Sequence, residues 1–152
     1  MRKQHYGKIV VISSITGPRT GIPGFCHYAA SKGGLLGFVH SACIELAYDN
    51  ITINAVEPGM VLTASVKEML SAEFIKGIGD SAPAKRMADP QDVAYAALFL
   101  STDESQYITG QSILVEGGLI RPEIPLPLVE SIFASMHQII REPLDRSLFD
   151  EF

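Results

Sequence analysis

The sequence predicts an α/β protein built on a parallel sheet, and three observations predict it. Two runs, Ile9-Val10-Val11-Ile12 and, but for Asn54, Ile51 to Val56, are apolar or β-branched instead of alternating, as expected of strands covered on both faces. Helix-period segments separate them. The resulting order of strand, helix, strand, helices and strand is that of parallel strands joined by crossover helices. At 152 residues, with 47% hydrophobic and 19% charged residues, the chain is sized for one globular domain and is too rich in apolar residues for disorder.

Met1 to Tyr6 is basic and polar and reads as a surface lead-in or the last turn of a helix. The first strand then ends at Ser13-Ser14. In open α/β sheets ligands bind at the carboxyl ends of strands, so two hydroxyls there are placed for function. Gly17 to Phe25, with Pro18, Gly21, Pro23 and Gly24, is a loop. A helix follows from Tyr28 to Tyr48, in which Leu35, Val39, Ala42, Cys43 and Leu46 form an apolar stripe. Gly33, Gly34 and Gly37 each weaken this helix by about 1 kcal/mol relative to alanine, and close approach of another helix, as at a subunit contact, is the expected compensation.

The second strand ends at Pro58-Gly59, which puts Met60 to Thr63 in a loop at the same sheet edge. Thr63 to Ile75 reads as one helix, and Gly77 to Ala84 as a mobile connection able to cover a ligand. Asp89-Pro90-Gln91-Asp92 is a helix start, with Asp89 as N-cap and proline in the first turn, and the helix is expected to reach about Thr102. Ser112 to Val115 forms the third strand, closed by Gly117-Gly118. Past Arg121 come Pro122, Pro125 and Pro127 and then a helical stripe from Leu128 to Arg141. It lacks the basic flanks of a membrane-surface helix and reads as a packing element.

Several function classes fall away. The formal net charge is -5 and no run of Lys or Arg is longer than Lys85-Arg86, so nucleic acid is not an expected partner. No apolar run is long enough for a membrane span, and none resembles a secretion signal. Cys26 and Cys43 have neither metal-site nor disulfide-framework spacing, which favours a reducing compartment, the cytoplasm, and no metal. A serine hydrolase would need G-x-S-x-G, which is missing from the sequence.

The pair Tyr28 and Lys32 carries chemistry. Four residues apart on a helix, they share one face, so a phenol and an ammonium can act at one point. A phenol titrates near ~10, and bringing it to roughly 7, where it can exchange protons, takes ~4 kcal/mol of preference for the phenolate, part of which a fixed lysine charge supplies. Surface tyrosine and solvated lysine are the plain alternative. For Ser13 and Ser14 the plain alternative is satisfaction of loop backbone. Thr63 can cap the helix that follows it, line a ligand site, or do both.

The strand ending in Ser13-Ser14, the pentad Tyr28-Ala-Ala-Ser-Lys32, Asn54-Ala-Val-Glu-Pro58-Gly59 with Thr63, and Tyr107-Ile-Thr-Gly110 ahead of Val115-Glu-Gly-Gly118 occur in one order. In this the chain resembles the short-chain dehydrogenase/reductase family from about Gly7 to Gly118. The resemblance implies a Rossmann-like parallel sheet with flanking helices and an NAD- or NADP-dependent oxidoreductase acting on a small alcohol or carbonyl substrate. It implies Tyr28 as acid-base catalyst, Lys32 as ribose holder, and Ser14 as the hydrogen-bond donor to the reacting oxygen. Ser14 is preferred to Ser13 because it stands three residues before Gly17, as in the family's Ser-x-x-Gly pattern. Pro58, Gly59, Val61 through its backbone, and Thr63 are the further cofactor-binding candidates, beside Tyr28 and Lys32.

Two features depart from the family pattern. The Gly-rich turn that binds the dinucleotide should lie well before the serine strand, and the sequence contains neither G-x-G-x-x-G nor a P-loop. Glu57 also stands unexpectedly before Pro58. The expectation is therefore a carboxyl-terminal half lacking the amino-terminal dinucleotide-binding half, with residues 1–121 in the Rossmann-like domain and 122–152 as a Pro-rich, helical extension. Such a chain is expected to be inactive alone, with the Ile9 to Ile12 strand exposed along an edge. It would form a homo-oligomer or join full-length homologues through the Tyr28 helix. The other function class is a non-catalytic protein that binds intact family members.

Overall fold

The computed structural model describes residues 1–121, 128 and 131–134. After a short 3-10 turn at Arg2–Gln4, the elements are β1 (Gly7–Ile12), α1 (Cys26–Ala47), β2 (Ile51–Pro58), α2 (Ala64–Met69), α3 (Ala72–Ser81), α4 (Pro90–Leu100), a 3-10 turn at Asp103–Ser105, and β3 (Ser112–Val115). The three strands form one parallel sheet in the order β1-β2-β3, with Gly7 opposite Ile51 and Ala55 opposite Ser112. This is an α/β fold with flanking helices.

The central strand β2 is buried along its whole length. One face of the sheet packs Ile53 and Ala55 against Val39 and Ala42 of α1, with Ile9, Val11, Leu36, Cys43 and Leu46 around them. Val39, Ala42, Cys43 and Leu46 of the expected apolar stripe seat α1 on the sheet, with Leu36 in the cluster where Leu35 was expected.

β1 differs from the expectation of a strand covered on both sides. Its residues are mostly half-buried and Ile12 is 44% exposed. The reason is topological, because among the described residues only β2 pairs with it. Ser13 N–H donates to the Val56 carbonyl at 2.8 Å, so odd-numbered residues turn their backbone groups to β2 and Lys8, Val10 and Ile12 turn theirs outward.

Two further readings are corrected. The helix expected over Thr63 to Ile75 is two helices, because Leu70 and Ser71 are extended and the Ser71 hydroxyl accepts the Phe74 N–H at 3.2 Å, starting α3. The expected loop from Gly77 to Ala84 is instead largely α3, which runs through Gly77 and Gly79 to Ser81. Among the described residues, nothing lies within 4 Å of a Cβ added at Gly33, Gly34 or Gly37, so no neighbour in this chain explains those glycines.

α4 begins as its sequence prescribes. The Asp92 carboxylate accepts the Asp89 N–H at 2.8 Å and also holds the Arg86 guanidinium, which keeps its pKa down at about 2. Chain contacts divide the molecule into Met1–Ile120 and Arg121–Phe152. In the second unit Leu128 and residues 131–134 are helical, and the rest of the stripe expected from Leu128 to Arg141 lies outside the described residues.

Candidate functional site

The carboxyl ends of β1 and β2 carry the candidate residues, and their backbones are held by a dense set of bonds. Ser13 and Ser14 follow β1 directly and both are buried. The Ser13 hydroxyl donates to the Lys32 carbonyl at 2.8 Å, which fastens the strand end to α1. The Ser14 hydroxyl accepts the Thr16 N–H at 3.1 Å, an acceptor role that leaves its own hydrogen for another partner.

Tyr28 lies in the first turns of α1, half-buried, with the Phe25 ring edge-on at 6.1 Å. Lys32, one helical turn on, puts its ammonium 5.6 Å from the centre of the Tyr28 ring and donates to the Ile12 carbonyl at 2.9 Å. Phenol, ammonium and the end of β1 are therefore gathered at one place. The intervening turn is pressed against the helix. Gly17 has φ 107°, and a Cβ there would lie 2.5 Å from the Ala29 carbonyl, next to Tyr28.

Pro58 and Gly59 sit where β1, β2 and β3 converge. The Pro58 carbonyl accepts the Ile15 N–H at 3.0 Å, and Gly59 N–H donates to the Val115 carbonyl at 2.9 Å. A Cβ on Gly59 would approach Glu116 Cβ to 2.9 Å, so glycine is required for β3 to come this close. Beyond it, Ala88 N–H donates to Met60 and Leu62 N–H donates to Ala88, which leaves the Val61 N–H directed away from that bridge. Thr63 caps α2, accepting the Val66 N–H at 3.3 Å.

Sequence reasoning noted Glu57 but overlooked its partner. Glu57 is fully buried in β2, and Arg19, from the turn after Ser14, grips it with two bonds, Nε to Oε2 at 3.0 Å and a terminal nitrogen to Oε1 at 2.8 Å. The same nitrogen lies 3.2 Å from the Ser112 hydroxyl. Burial pushes the Glu57 carboxyl up, but the bonds from Arg19 and Ser112 outweigh it and hold the pKa below the ordinary carboxylate value. The signal was present as one charge inside an otherwise uncharged buried strand, which demands a partner.

Asn54, also fully buried, ties β2 to the Tyr107–Gly110 segment, donating to the Ile108 carbonyl at 2.7 Å and accepting the Gln111 N–H at 3.0 Å. A cavity of about 350 Å³ lies between α3, the start of α4 and the end of β3. Its walls include Met60, Arg86 and Asp92 but none of Ser14, Tyr28 and Lys32. Among the described residues, no group of three or more His, Cys, Asp or Glu could hold a metal ion, and no helix is long and apolar enough to cross a membrane.

A nicotinamide cofactor would find only part of its usual contacts here. Lys32, Tyr28 and the Val61 N–H suit the nicotinamide-ribose end, at the strand ends where such ligands bind. No Gly-rich phosphate turn occurs in the sequence for the other end.

A family model described as enoyl-(acyl carrier protein) reductase matches residues 1–120. The 3-oxoacyl-(acyl-carrier-protein) reductase of Haemophilus influenzae is 41% identical over 119 residues, 78% of this chain and 48% of that protein. Its counterpart in Chlamydia trachomatis is 42% identical over 122 residues, 78% of this chain and 47% of that protein. A solved structure of a putative gluconate dehydrogenase from Agrobacterium tumefaciens superposes with TM-score 0.74 at 34% identity, covering 80% of this chain and 48% of that one. A 3-oxoacyl-(acyl-carrier protein) reductase from Brucella melitensis gives 0.73 at 36%, covering 80% and 45%. The chain spans about half the length of the relatives it matches.

Proposed function

Because the chain belongs to the short-chain dehydrogenase/reductase family, we propose that it is the carboxyl-terminal half of an NAD- or NADP-dependent oxidoreductase acting on a carbonyl or alcohol. The observation that carries this reading is the joint placement of Tyr28, Lys32 and the end of β1, with the Lys32 ammonium 5.6 Å from the Tyr28 ring and bonded to the Ile12 carbonyl. The nicotinamide, when bound, supplies the hydride. The Tyr28 hydroxyl gives its proton to the carbonyl oxygen, where negative charge develops. Ser14 donates a second hydrogen bond to that oxygen, its own acceptor side being occupied by Thr16 N–H. Lys32 binds the ribose, while Pro58, Gly59, Val61 and Thr63 line the nicotinamide end.

The outward-facing edge of β1 supports the half-enzyme reading. A strand with this apolar pattern belongs inside a sheet, beside a strand that an amino-terminal half would provide. Alone, the chain is expected not to turn over. Joined to the amino-terminal half of a relative, it is expected to reduce a 3-oxoacyl thioester, the substrate class in the names of its relatives. The experiment is a titration with NADH and NADPH, followed by cofactor fluorescence and absorbance, for the chain alone and for the joined protein. Turnover that falls by at least about 100-fold in Tyr28→Phe supports the assignment, and turnover unaffected by that change refutes it.

The exposed side of α1 favours a second reading. Gly34 and Gly37 lie open there, and Phe38, Ile44 and Tyr48 are exposed, as on a helix that packs against another protein. In that case the chain is a non-catalytic partner of intact family members. Co-purification with a full-length relative, without cofactor binding or turnover in the joined protein, would select it.

A further inference from the structure

The buried ion pair lies where three pieces of the candidate site meet. Arg19 belongs to a tight turn, in which its own N–H and that of Thr20 both reach the Ile15 carbonyl, at 2.9 and 3.0 Å, and Gly17 N–H reaches the Thr20 carbonyl at 2.8 Å. That turn carries the Thr16 N–H that holds Ser14, and through Gly17 it rests on Ala29 beside Tyr28. Glu57 immediately precedes Pro58-Gly59, whose backbone is bonded to Ile15 and to β3. One bidentate contact thus ties the serine turn, which rests on the tyrosine helix through Gly17, to the strand end that leads into Pro58-Gly59.

A buried ion pair is a poor way to gain stability, because desolvation offsets most of the attraction, and apolar replacements of both partners are commonly neutral. A planar fork against a carboxylate does something a greasy contact does not. It sets the angle and distance between the two backbones that carry it. We propose that Arg19 and Glu57 are positioning residues, holding the Ser14 turn in register with Tyr28 and with Pro58-Gly59. This rests on the site assignment above but reads out separately from it.

The test uses the whole chain labelled with 3-fluorotyrosine, with the Tyr28 fluorine signal assigned through Tyr28→Phe and amide hydrogen exchange followed residue by residue. In the double variant Arg19→Met/Glu57→Leu the core amides, such as Ile53, should exchange as in the parent. The Thr16 amide, bonded to Ser14, should exchange at least about tenfold faster, and the Tyr28 signal should move. Arg19→Lys keeps the charge but loses the fork, and should show the same two changes in smaller measure. A folded double variant with Thr16 exchange and the Tyr28 signal unaltered would mean that the pair merely fills space, and the proposal fails. Should the double variant not fold, Arg19→Lys decides alone, with unaltered local signals overturning the idea and altered ones supporting it. Neither readout involves cofactor or turnover, so loss of the oxidoreductase reading would show in the cofactor titration instead.

Discussion

Replacing Arg19 alone by Met should be among the more damaging single changes in the molecule. It leaves the Glu57 carboxylate, with no exposed surface, without either of its two guanidinium bonds. Removing one partner of a buried pair costs about 3–5 kcal/mol, and because the Arg19 side chain is itself 41% exposed, solvent screening moves the expectation to the lower end, about 3 kcal/mol. The pH dependence is the sharper part. In the parent, the Glu57 pKa is lowered, so the pair's contribution is complete above the unfolded carboxylate value of ~4.3 and disappears as pH falls through the folded value. In Arg19→Met burial acts with little opposition and raises that pKa, so the folded state binds a proton that the unfolded state has released. The variant should therefore lose stability as pH rises from about 5 to 7.5, a range over which this group leaves the parent's stability flat. Urea unfolding followed by circular dichroism across that range measures both. A loss under about 1 kcal/mol at neutral pH, with the parent's slope, would refute the reasoning.

Three other outcomes are expected. Gly17→Ala, forced to a positive φ and against the Ala29 carbonyl, should lose about 1–3 kcal/mol by denaturant titration, whereas Gly34→Ala, on an open helix face, should gain up to about 1 kcal/mol in the monomer. Asp92, whose pKa is lowered from 3.8 to about 2, contributes stability that is complete above 3.8 and is lost as pH falls toward 2, so Asp92→Asn should flatten the acid limb of a thermal-midpoint profile. Thr52→Val should raise stability by about 1 kcal/mol in urea unfolding, since the Thr52 hydroxyl is buried without a hydrogen-bond partner among the described residues.

What was legible in the sequence was local. Ser112 to Val115 announced β3 by its apolar run and trailing glycines, and Asp89-Pro90 announced the start of α4, because those signals act over a few residues. The break between α2 and α3 was missed because Ser71, its cap, is hidden in a pattern that stays amphipathic across it. β1 read as an interior strand because its composition reports the neighbours it suits and not the ones it has. At the site, Tyr28 and Lys32 could be paired by their helical spacing, whereas Ser14 was preferred to Ser13 only through the family resemblance. Arg19 could not be tied to Glu57, since the two are 38 positions apart and no periodicity links a turn to a strand.

The bond from Lys32 to the Ile12 carbonyl also bears on what can pair with the open edge of β1. Of the three residues whose backbones face outward from β1, Ile12 already has its acceptor taken by an ammonium, and Lys8 brings a charged side chain to the other end. A second strand laid along this edge would have to displace the Lys32 ammonium from the Ile12 carbonyl before it could pair along the full length of β1.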